Sequence, residues 1–550
     1  MSVAPTRESA ATHAVANQPP PLEGLNLYEQ NRPLVEALAR EGAGWGEERA
    51  VAAGAVAGGE GIRLGFEANE NPPRLRTHDR FGNRVDQVEF HPAWHRLLEN
   101  AVASEVHALP WTAERPGAHA VRAAMSLTGG QVEAGHGCPL TMTFAAIPAL
   151  RAQPDVLAVW EPRLMSSQYD ARDVPADQKA GALCGMGMTE KQGGSDVRAN
   201  TTVARPLNGG GPGAEYELVG HKWFCSAPMC DLFLILAQIE GEGISCFALP
   251  RWTPDGERNA FHLQRLKDKL GNRSNASSEV ELRGAWAQLV GEPGRGVPTI
   301  IEMVNHTRLD CVIGSAAGMR WAVSLATHHA AYRSAFGARL IEQPLMTNVL
   351  ADLCVESEAA TLSAMRLARA YDEGDDAFKR IATAVMKYWV CKRCAPHAAE
   401  ATEVLGGNGY VEESGLPRLY REAPLNSIWE GSGNVMCLDV LRALIKEPET
   451  RQAFLDELET SAGADPRLDA YVARVRGELE NGEDLQLRAR RVVEAMALAL
   501  QGSLVVRHAP APVADAFCAS RLAGDAGHAF GTLPPGLDFG AIVERNRPLL

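Results

Sequence analysis

One carboxylate of this sequence has the surroundings that acid–base chemistry requires. Glu430 follows the bulky pair Ile428 and Trp429 and precedes a Gly-Ser-Gly-Asn run at residues 431–434. A carboxylate in a dry cleft loses hydration, so its pKa rises towards neutrality and it becomes a usable general base. Glycines beside it let the backbone approach a ligand closely. The segment makes Glu430 a candidate general base, although its local context alone favours the alternative of a helix-cap or surface carboxylate.

Two further segments have the composition of ligand-binding loops. Residues 403–410 read EVLGGNGY, a glycine cluster that can bring backbone close to a flat or charged cofactor. Residues 188–196 read MTEKQGGSD and offer hydroxyls and backbone N–H groups. Together with the Glu430 segment, and in this order, they resemble the acyl-CoA dehydrogenase family of flavoenzymes. The residues of these three segments are most similar to those of the alkylation-response (AidB-type) branch, and the resemblance runs from about residue 30 onward.

The resemblance implies FAD as the cofactor and an acyl-CoA thioester, or another small molecule, as the substrate. Removing two hydrogens from adjacent carbons needs a base for the α-proton and an acceptor for the β-hydride, which flavin N5 supplies. The base must lie on the other side of the acyl chain in a dry cleft. By resemblance Glu430 is that base, and the expected activity is weak dehydrogenation of short or branched thioesters such as isovaleryl-CoA.

The resemblance also assigns cofactor contacts. Phe224 matches the family's aromatic residue beside the flavin and Ser226 its hydroxyl near N5, although Trp223 is an alternative aromatic residue. Arg333 matches an arginine that pairs with the FAD pyrophosphate across a subunit boundary, a role suited to its planar fork. This contact implies at least a dimer, and the family expectation is a homotetramer built as a dimer of dimers. The predicted FAD contacts are Met188, Thr189, Gly194, Ser195, Phe224, Ser226, Arg333, Phe336, Gly406, Gly407, Ser432 and Asn434.

Some positions depart from the family pattern. Lys191 stands where many relatives have Pro, and Gln192 where Gly is common. Glu403 replaces a Gln that often precedes the glycine cluster, and Gln343 could compensate for it. Lys191 and Gln192 alter the stiffness and charge of the loop at the predicted cofactor site and suit the alkylation-response branch, whereas Glu403 adds a negative charge that disfavours one dinucleotide contact.

Size and composition bound the possible classes. A chain of 550 residues is too long for one core and predicts three or four domains. With 45% hydrophobic and 22% charged residues it has the composition of a globular protein, and a membrane span is not expected because no run of about 20 apolar residues occurs. The 11 cysteines show no disulfide-like pattern, which favours a reducing cytoplasm. Cys391 and Cys394 fit buried helix positions better than a metal site, so no metal is expected.

The spacing of apolar residues predicts an α+β protein, and the resemblance implies an acyl-CoA dehydrogenase-like order of domains, with two helical domains flanking a β-barrel-like one. Residues 216–219, 232–236 and 245–249 are short strand-like runs, and the GGGPG run at 209–213 is typical of a hairpin loop. From Gly296 helix returns, with an apolar stripe formed by Val312, Ala316, Met319, Val323, Ala326 and Ala330. The predicted organisation is a flexible leader (1–24), an N-terminal helical domain (25–180), a flavin-binding β-barrel-like domain (181–295), a C-terminal helical bundle with Glu430 (296–445) and an additional helical domain (446–550).

The branch resemblance raises a second function, binding to double-stranded DNA or inactivation of alkylating agents during the response to DNA alkylation. Arg488, Arg490 and Arg491 form a small basic cluster that could contact DNA. However, residues 446–550 carry 12 basic and 16 acidic side chains, and the whole chain has a net charge of −14. This is not the electrostatic pattern of a nucleic-acid surface, and a solvated helix face is the alternative. An acyl-CoA oxidase, which shares the fold, is a third possibility.

Overall fold

The computed structural model describes residues 12–113 and 115–549. Three regions succeed one another along the chain in the predicted order: a helical N-terminal region, a β-barrel and a long helical bundle. Within the described residues, no helix is long and apolar enough to cross a bilayer. Residues 1–11 of the predicted leader lie outside the described residues. Residues 12–24 are held against the bundle, because Arg333 donates to the Asn17 carbonyl at 2.8 Å and His328 bonds to the Pro20 carbonyl at 2.8 Å.

The N-terminal region is helical except for one antiparallel hairpin that the sequence reading missed. Strand β1 follows the Asn71-Pro72-Pro73 joint, where the chain leaves a helix because the residue before a proline disfavours helical backbone. Leu75 faces Val88 across this hairpin, and both pack against the core of the barrel region. The elements are α1 (Arg32–Arg40), α2 (Glu47–Val56), α3 (Ile62–Glu70), β1 (Arg74–His78), β2 (Arg84–Glu89), α4 (Pro92–Ala103), α5 (Leu109–Thr112), α6 (Ala118–Gly130), α7 (Gly137–Leu150) and α8 (Pro154–Leu164).

The middle region is a closed barrel. Its strands pair in a ring, β6–β4–β5–β9–β7 and back to β6, with β3 added beside β6 and β8 beside β9. All neighbours in the ring are antiparallel except β4 and β6. The GGGPG run joins β4 to β5, as the hairpin prediction requires. The strands are β3 (Cys184–Gly187), β4 (Val203–Pro206), β5 (Glu215–Ser226), β6 (Leu232–Ile239), β7 (Gly243–Pro250), β8 (Phe261–Leu266) and β9 (Ser277–Val290).

Three long helices form the bundle, and the first is buried along most of its length. All six residues of the predicted apolar stripe lie on this helix and are buried. The second ends at Gly374, whose φ of 64° is left-handed, and the Asp375 side chain then accepts from the Phe378 N–H to start the third. The elements are α9 (Gly296–Tyr332), β10 (Ser334–Ala335), β11 (Ala338–Arg339), α10 (Pro344–Glu373), α11 (Asp376–Val404), α12 (Leu416–Glu422) and α13 (Gly433–Lys446).

The last hundred residues add helices that share the hydrophobic core of the bundle. One continuous cluster of buried residues extends from Tyr28 through α6 and the bundle to Val543. Arg320 of α9 is fully buried and donates to the Asn546 carbonyl at 2.9 Å and the Gln30 carbonyl at 2.7 Å, so both ends of the described chain are tied to the central helix. The added helices are α14 (Pro448–Glu459), α15 (Pro466–Glu480), α16 (Leu485–His508), α17 (Ala511–Phe517) and α18 (Phe539–Asn546).

Candidate active site

A cavity of about 890 Å³ lies where the barrel meets helices α6, α7, α9 and α12. It lies between the two main cores, one formed by the barrel with α4, α7, α8 and the start of α9, the other by α6, the rest of α9 and the other helices of the bundle. The predicted site residues that line it are Met188, Thr189, Gly194, Ser195, Phe224, Ser226, Glu430 and Ser432. The fold therefore brings together segments that are more than 200 residues apart in the sequence.

Glu430 points into this cavity from a strained turn. Its φ of 57° is left-handed, a conformation that costs a residue with a side chain about 1–2 kcal/mol, and strain of this kind clusters at functional sites. Burial raises the pKa of its carboxyl above the ordinary value, while a hydrogen bond from Thr307 and the nearby charges of Lys387 and Arg308 act in the opposite direction. Thr307 Oγ1 donates to Glu430 Oε2 at 2.6 Å. The carboxylate is thus partly removed from water and is oriented by Thr307.

Charged side chains hold the backbone of the same turn. Arg308 donates from Nε to the Glu430 carbonyl at 3.0 Å and from Nη1 to Asp439 at 2.8 Å. Lys387 donates to the Trp429 carbonyl at 2.7 Å and also to the Gly431 carbonyl. Arg308 and Lys387 therefore hold the turn through hydrogen bonds to its backbone carbonyls, and Arg308 also pairs with Asp439. Neither cation forms a direct ion pair with the Glu430 carboxylate.

The barrel wall of the cavity rests on a fully buried ion pair. Lys222 Nζ donates to Glu190 Oε1 at 2.9 Å, and neither side chain is exposed. Burial alone would raise the pKa of Glu190, but the Lys222 charge and hydrogen bonds from Thr201 and Thr202 hold it well below its usual range. Glu190 directly follows Thr189, whose side chain lines the cavity. The pair therefore fixes the segment that carries the predicted flavin contacts.

Aromatic and hydroxyl groups on β5 complete this wall. Phe224 lines the cavity and is 51% exposed, whereas the Trp223 ring lies under Lys267, whose Nζ is 3.2 Å from the ring centroid. Of the two aromatic residues, Phe224 and not Trp223 lines the cavity, and Lys267 Nζ also lies 4.7 Å from the Phe224 ring centroid. Ser226 Oγ lies 3.0 Å from Ser277 Oγ, and both residues line the cavity.

The unpaired polar atoms of the cavity fit a flavin dinucleotide. Gln131 Nε2 and Arg418 Nη1 are buried donors, and Asn272 Oδ1 is a buried acceptor, that have no hydrogen-bond partner within the described residues. Residues with donors and residues with acceptors therefore both lie in the cavity wall, and the pyrimidine ring and ribityl chain of a flavin offer groups of both kinds. A Cβ added at Gly194 would lie 2.5 Å from Thr189 Oγ1, which explains glycine at that close approach.

The other predicted FAD contacts lie outside this cavity. Arg333, Phe336, Gly406 and Gly407 are on the surface, with Phe336 fully exposed and at a left-handed φ of 52°. Asn434 accepts from Arg490 of α16 at 2.8 Å instead of lining the cavity. Within one subunit, therefore, these residues do not join the Glu430 site.

Two of the three predicted DNA-binding arginines share one acidic neighbour, and the third, Arg490, donates to Asn434. Arg488 pairs with Glu478 and donates to the Asn481 and Glu483 carbonyls, while Arg491 lies 3.3 Å from the same Glu478. In the part of the chain that the structure describes, His, Cys, Asp and Glu side chains form no group of three suited to a metal ion.

Sequence reading missed several residues that shape the site. Thr307 and Arg308 belong to a polar run inside an otherwise apolar helix. This run could have indicated a functional site, because buried Arg and Asp residues are rare without partners. Asp310 of this run pairs with Arg122 across 188 residues of sequence, which no local pattern reveals. Lys387 and Asn272 are likewise recognisable only from their contacts.

Comparison with known proteins gives three family matches and close relatives. Residues 17–171 match the adaptive response protein AidB N-terminal domain, residues 185–285 the acyl-CoA dehydrogenase middle domain and residues 294–445 the acyl-CoA dehydrogenase C-terminal domain. The chain is 48% identical over 515 residues to the putative acyl-CoA dehydrogenase AidB of Escherichia coli, covering 92% of this chain and 94% of that protein.

Two solved structures extend the comparison. Caenorhabditis elegans ACDH-11 in complex with C11-CoA superposes with a TM-score of 0.82 at 26% identity, covering 94% of this chain and 95% of that one. A Bacillus anthracis acyl-CoA dehydrogenase complexed with FAD superposes with a TM-score of 0.60 at 19% identity, covering 78% of each chain, which is a likeness of fold.

Proposed function

The chain belongs to the acyl-CoA dehydrogenase family, with an AidB-type N-terminal domain, and on this premise we propose that it is an FAD-dependent enzyme that dehydrogenates a short or branched acyl-CoA thioester. The observation that carries the proposal is the buried, Thr307-bonded carboxylate of Glu430 in the same cavity as the hydroxyl-lined wall of the barrel. The likeness to proteins solved with FAD and with C11-CoA supports it.

In this proposal Glu430 takes the α-proton of the thioester. Its burial raises the pKa of the carboxyl, so the carboxylate is a stronger base than one in water. Thr307 donates to one carboxylate oxygen and leaves the other free to receive the proton. Arg308 and Lys387 keep the turn in place through its carbonyls. When bound, FAD supplies the acceptor for the β-hydride.

The residues proposed to hold FAD within the subunit are Met188, Thr189, Gly194, Ser195, Phe224, Ser226 and Ser432. The hydroxyls of Thr189, Ser195 and Ser226 suit the carbonyls and ring nitrogens of a flavin, and the exposed face of Phe224 suits its flat ring. Removal of water by the bound groups strengthens the electrostatic interactions around Glu430.

Replacement of the base gives the direct test. Glu430→Gln keeps the shape of the side chain and removes its basicity, so the variant should retain its yellow cofactor and lose at least about 100-fold in the rate of flavin reduction by isovaleryl-CoA under anaerobic conditions. Glu413→Gln, at an exposed position in the same region, is the matched control and should react as the unmodified protein does. Equal rates for Glu430→Gln and the unmodified protein would refute the role of Glu430.

We further propose that Arg333, Phe336, Gly406 and Gly407 contact the FAD of a second subunit in a homotetramer. The exposed side chains of Phe336, Leu345 and Tyr410, at 101%, 85% and 86%, support an apolar contact between copies in this area. Arg333→Ala should release FAD while the light-scattering mass stays that of a tetramer. A monomeric mass for the unmodified protein would contradict the proposal.

A second candidate, from the likeness to AidB, is a role in the response to DNA alkylation through duplex DNA binding by Arg488, Arg490 and Arg491. Glu478 pairs with both Arg488 and Arg491 and offsets part of the positive charge of the cluster, which reduces the number of counterions that it could release from DNA. Gel shifts at low salt test this role: no binding there eliminates it, and loss of binding in the triple alanine variant supports it. Oxygen-dependent peroxide formation driven by substrate would instead indicate an acyl-CoA oxidase.

A further inference from the structure

A buried ion pair forms part of the cavity wall close to Glu430. Apolar side chains at this position would suit a plain alkyl chain better. Arg122 of α6 donates from Nη1 and Nη2 to the two carboxylate oxygens of Asp310, each at 2.6 Å. Thr141 of α7 donates to Asp310 Oδ2, also at 2.6 Å. All three residues line the cavity, with side-chain exposures of 2% for Arg122 and 9% for Asp310.

The ion pair is one helical turn from the proposed base. Thr307, which bonds the Glu430 carboxylate, and Asp310 are three residues apart on α9 and so lie on the same side of that helix. Three residues advance about 4.5 Å along a helix axis, roughly the length of three or four bonds of an extended carbon chain. An acyl group whose α-carbon meets Glu430 therefore brings its third or fourth following atom near Asp310.

Asp310 retains the capacity to accept one more hydrogen bond. A carboxylate has about four lone-pair positions, and the described contacts of Asp310 use three of them. Arg122 is less available, because its Nε is bonded to the Val106 carbonyl at 2.7 Å and its guanidinium lies 3.5 Å above the Phe144 ring. The Asp310 carboxylate is thus a charged group that faces the ligand and can accept a hydrogen bond from it.

We propose that the Arg122–Asp310–Thr141 group is a specificity site that selects short acyl thioesters carrying a hydroxyl group three or four bonds beyond the α-carbon. A hydroxyl donates to Asp310, whereas a methyl group at the same place strips water from a buried carboxylate and gives no hydrogen bond in return. Sites built to bond a substrate hydroxyl reject the analogue that lacks it. This inference deepens the proposed function and rests on it.

Matched ligand pairs test the proposal without turnover. The FAD-loaded protein is titrated calorimetrically with S-butyl-CoA and S-pentyl-CoA, which are inert thioethers, and with their ω-hydroxy counterparts. A hydrogen bond to a charged group predicts that at least one hydroxylated member binds about tenfold or more tightly than its alkyl partner. Equal affinities within both pairs would overturn the specificity site, and this comparison needs no variant.

A double variant separates recognition from a structural role of the ion pair. Arg122→Met with Asp310→Leu replaces the pair by apolar side chains of similar volume, an exchange that folded proteins often tolerate. The hydroxyl preference should then vanish or reverse. Thr128→Val, which removes a buried hydroxyl of α6 that bonds only within its helix, is the control and should keep the preference. An unchanged preference in the double variant would overturn the inference.

The two proposals fail in different ways. If none of the four thioethers binds, the acyl-CoA assignment itself falls and the specificity site falls with it. If they bind with no preference for the hydroxyl, the acyl-CoA site stands and only the role of Asp310 is refuted.

Discussion

The buried pair Lys222–Glu190 offers a sharp test of how the barrel supports the candidate site. Lys222→Met removes the cation and keeps an unbranched side chain of similar length. Both partners are fully buried, so the Glu190 carboxylate would be left without its main compensating charge. Breaking a buried pair in this way costs about 3–5 kcal/mol.

The comparison uses a surface pair of the same protein. Arg76 and Glu89 form an ion pair across the β1–β2 hairpin with side chains 57% and 50% exposed, so Arg76→Met should cost about 0–1 kcal/mol. The free energy of the first urea unfolding transition is measured for both variants, together with the FAD that each retains after desalting. Because Glu190 fixes the Thr189 segment, we expect Lys222→Met to lose cofactor as well as stability.

The pH dependence of the free energy of unfolding tests independently whether the Lys222–Glu190 pair stabilises the protein. The pKa of Glu190 is held below its ordinary value, so the pair's contribution is fully present above the ordinary carboxyl range and is lost as the pH falls towards the folded value. The difference between unmodified protein and Lys222→Met should therefore be largest near neutrality and shrink in acid. A cost no larger than that of Arg76→Met, or one that grows in acid, would refute the reasoning.

Two further predictions concern the cavity itself. Thr307→Val removes the hydrogen bond that favours the charged form of Glu430, so the pKa of Glu430 should rise further. The pH profile of flavin reduction should then move to higher pH. Thr327→Val is the control on the same helix, where the hydroxyl bonds only to backbone, and should leave the profile in place. Gly194→Ala should lower the retention of FAD measured by absorbance, because its Cβ would lie 2.5 Å from Thr189 Oγ1; full retention would show that Thr189 can move aside.

Local patterns in the sequence predict most of the architecture. The stripe on α9 and the strand runs at residues 216–219 and 232–236 reflect side chains that face a core at helical or strand spacing, and the structure confirms them. The order of helical, β and helical regions follows from these patterns and is also confirmed. The β1–β2 hairpin was missed because its charged strands, RLRTH and RVDQVE, carry little apolar alternation.

Contacts between distant segments could not be read from the sequence. The parallel pairing of β4 with β6, which closes the barrel, depends on packing of the whole sheet. The resemblance to the acyl-CoA dehydrogenase family indicated Glu430, but the partners that orient it come from other helices. Thr307 and Lys387 precede it by 123 and about 40 residues, and only the packing of α9 and α11 brings them to one turn.

The attachment of both chain ends to Arg320 has a consequence for how the protein is made. The barrel is built from one continuous stretch, residues 184–290, and can fold soon after it leaves the ribosome. The bundle instead buries a guanidinium whose hydrogen bonds come from Gln30 and Asn546, so this part of its core is completed only after residue 546 has been synthesised. Until then the face of α10 that packs against α16 and α18 stays uncovered, and exposed apolar surface of this kind is what chaperones bind.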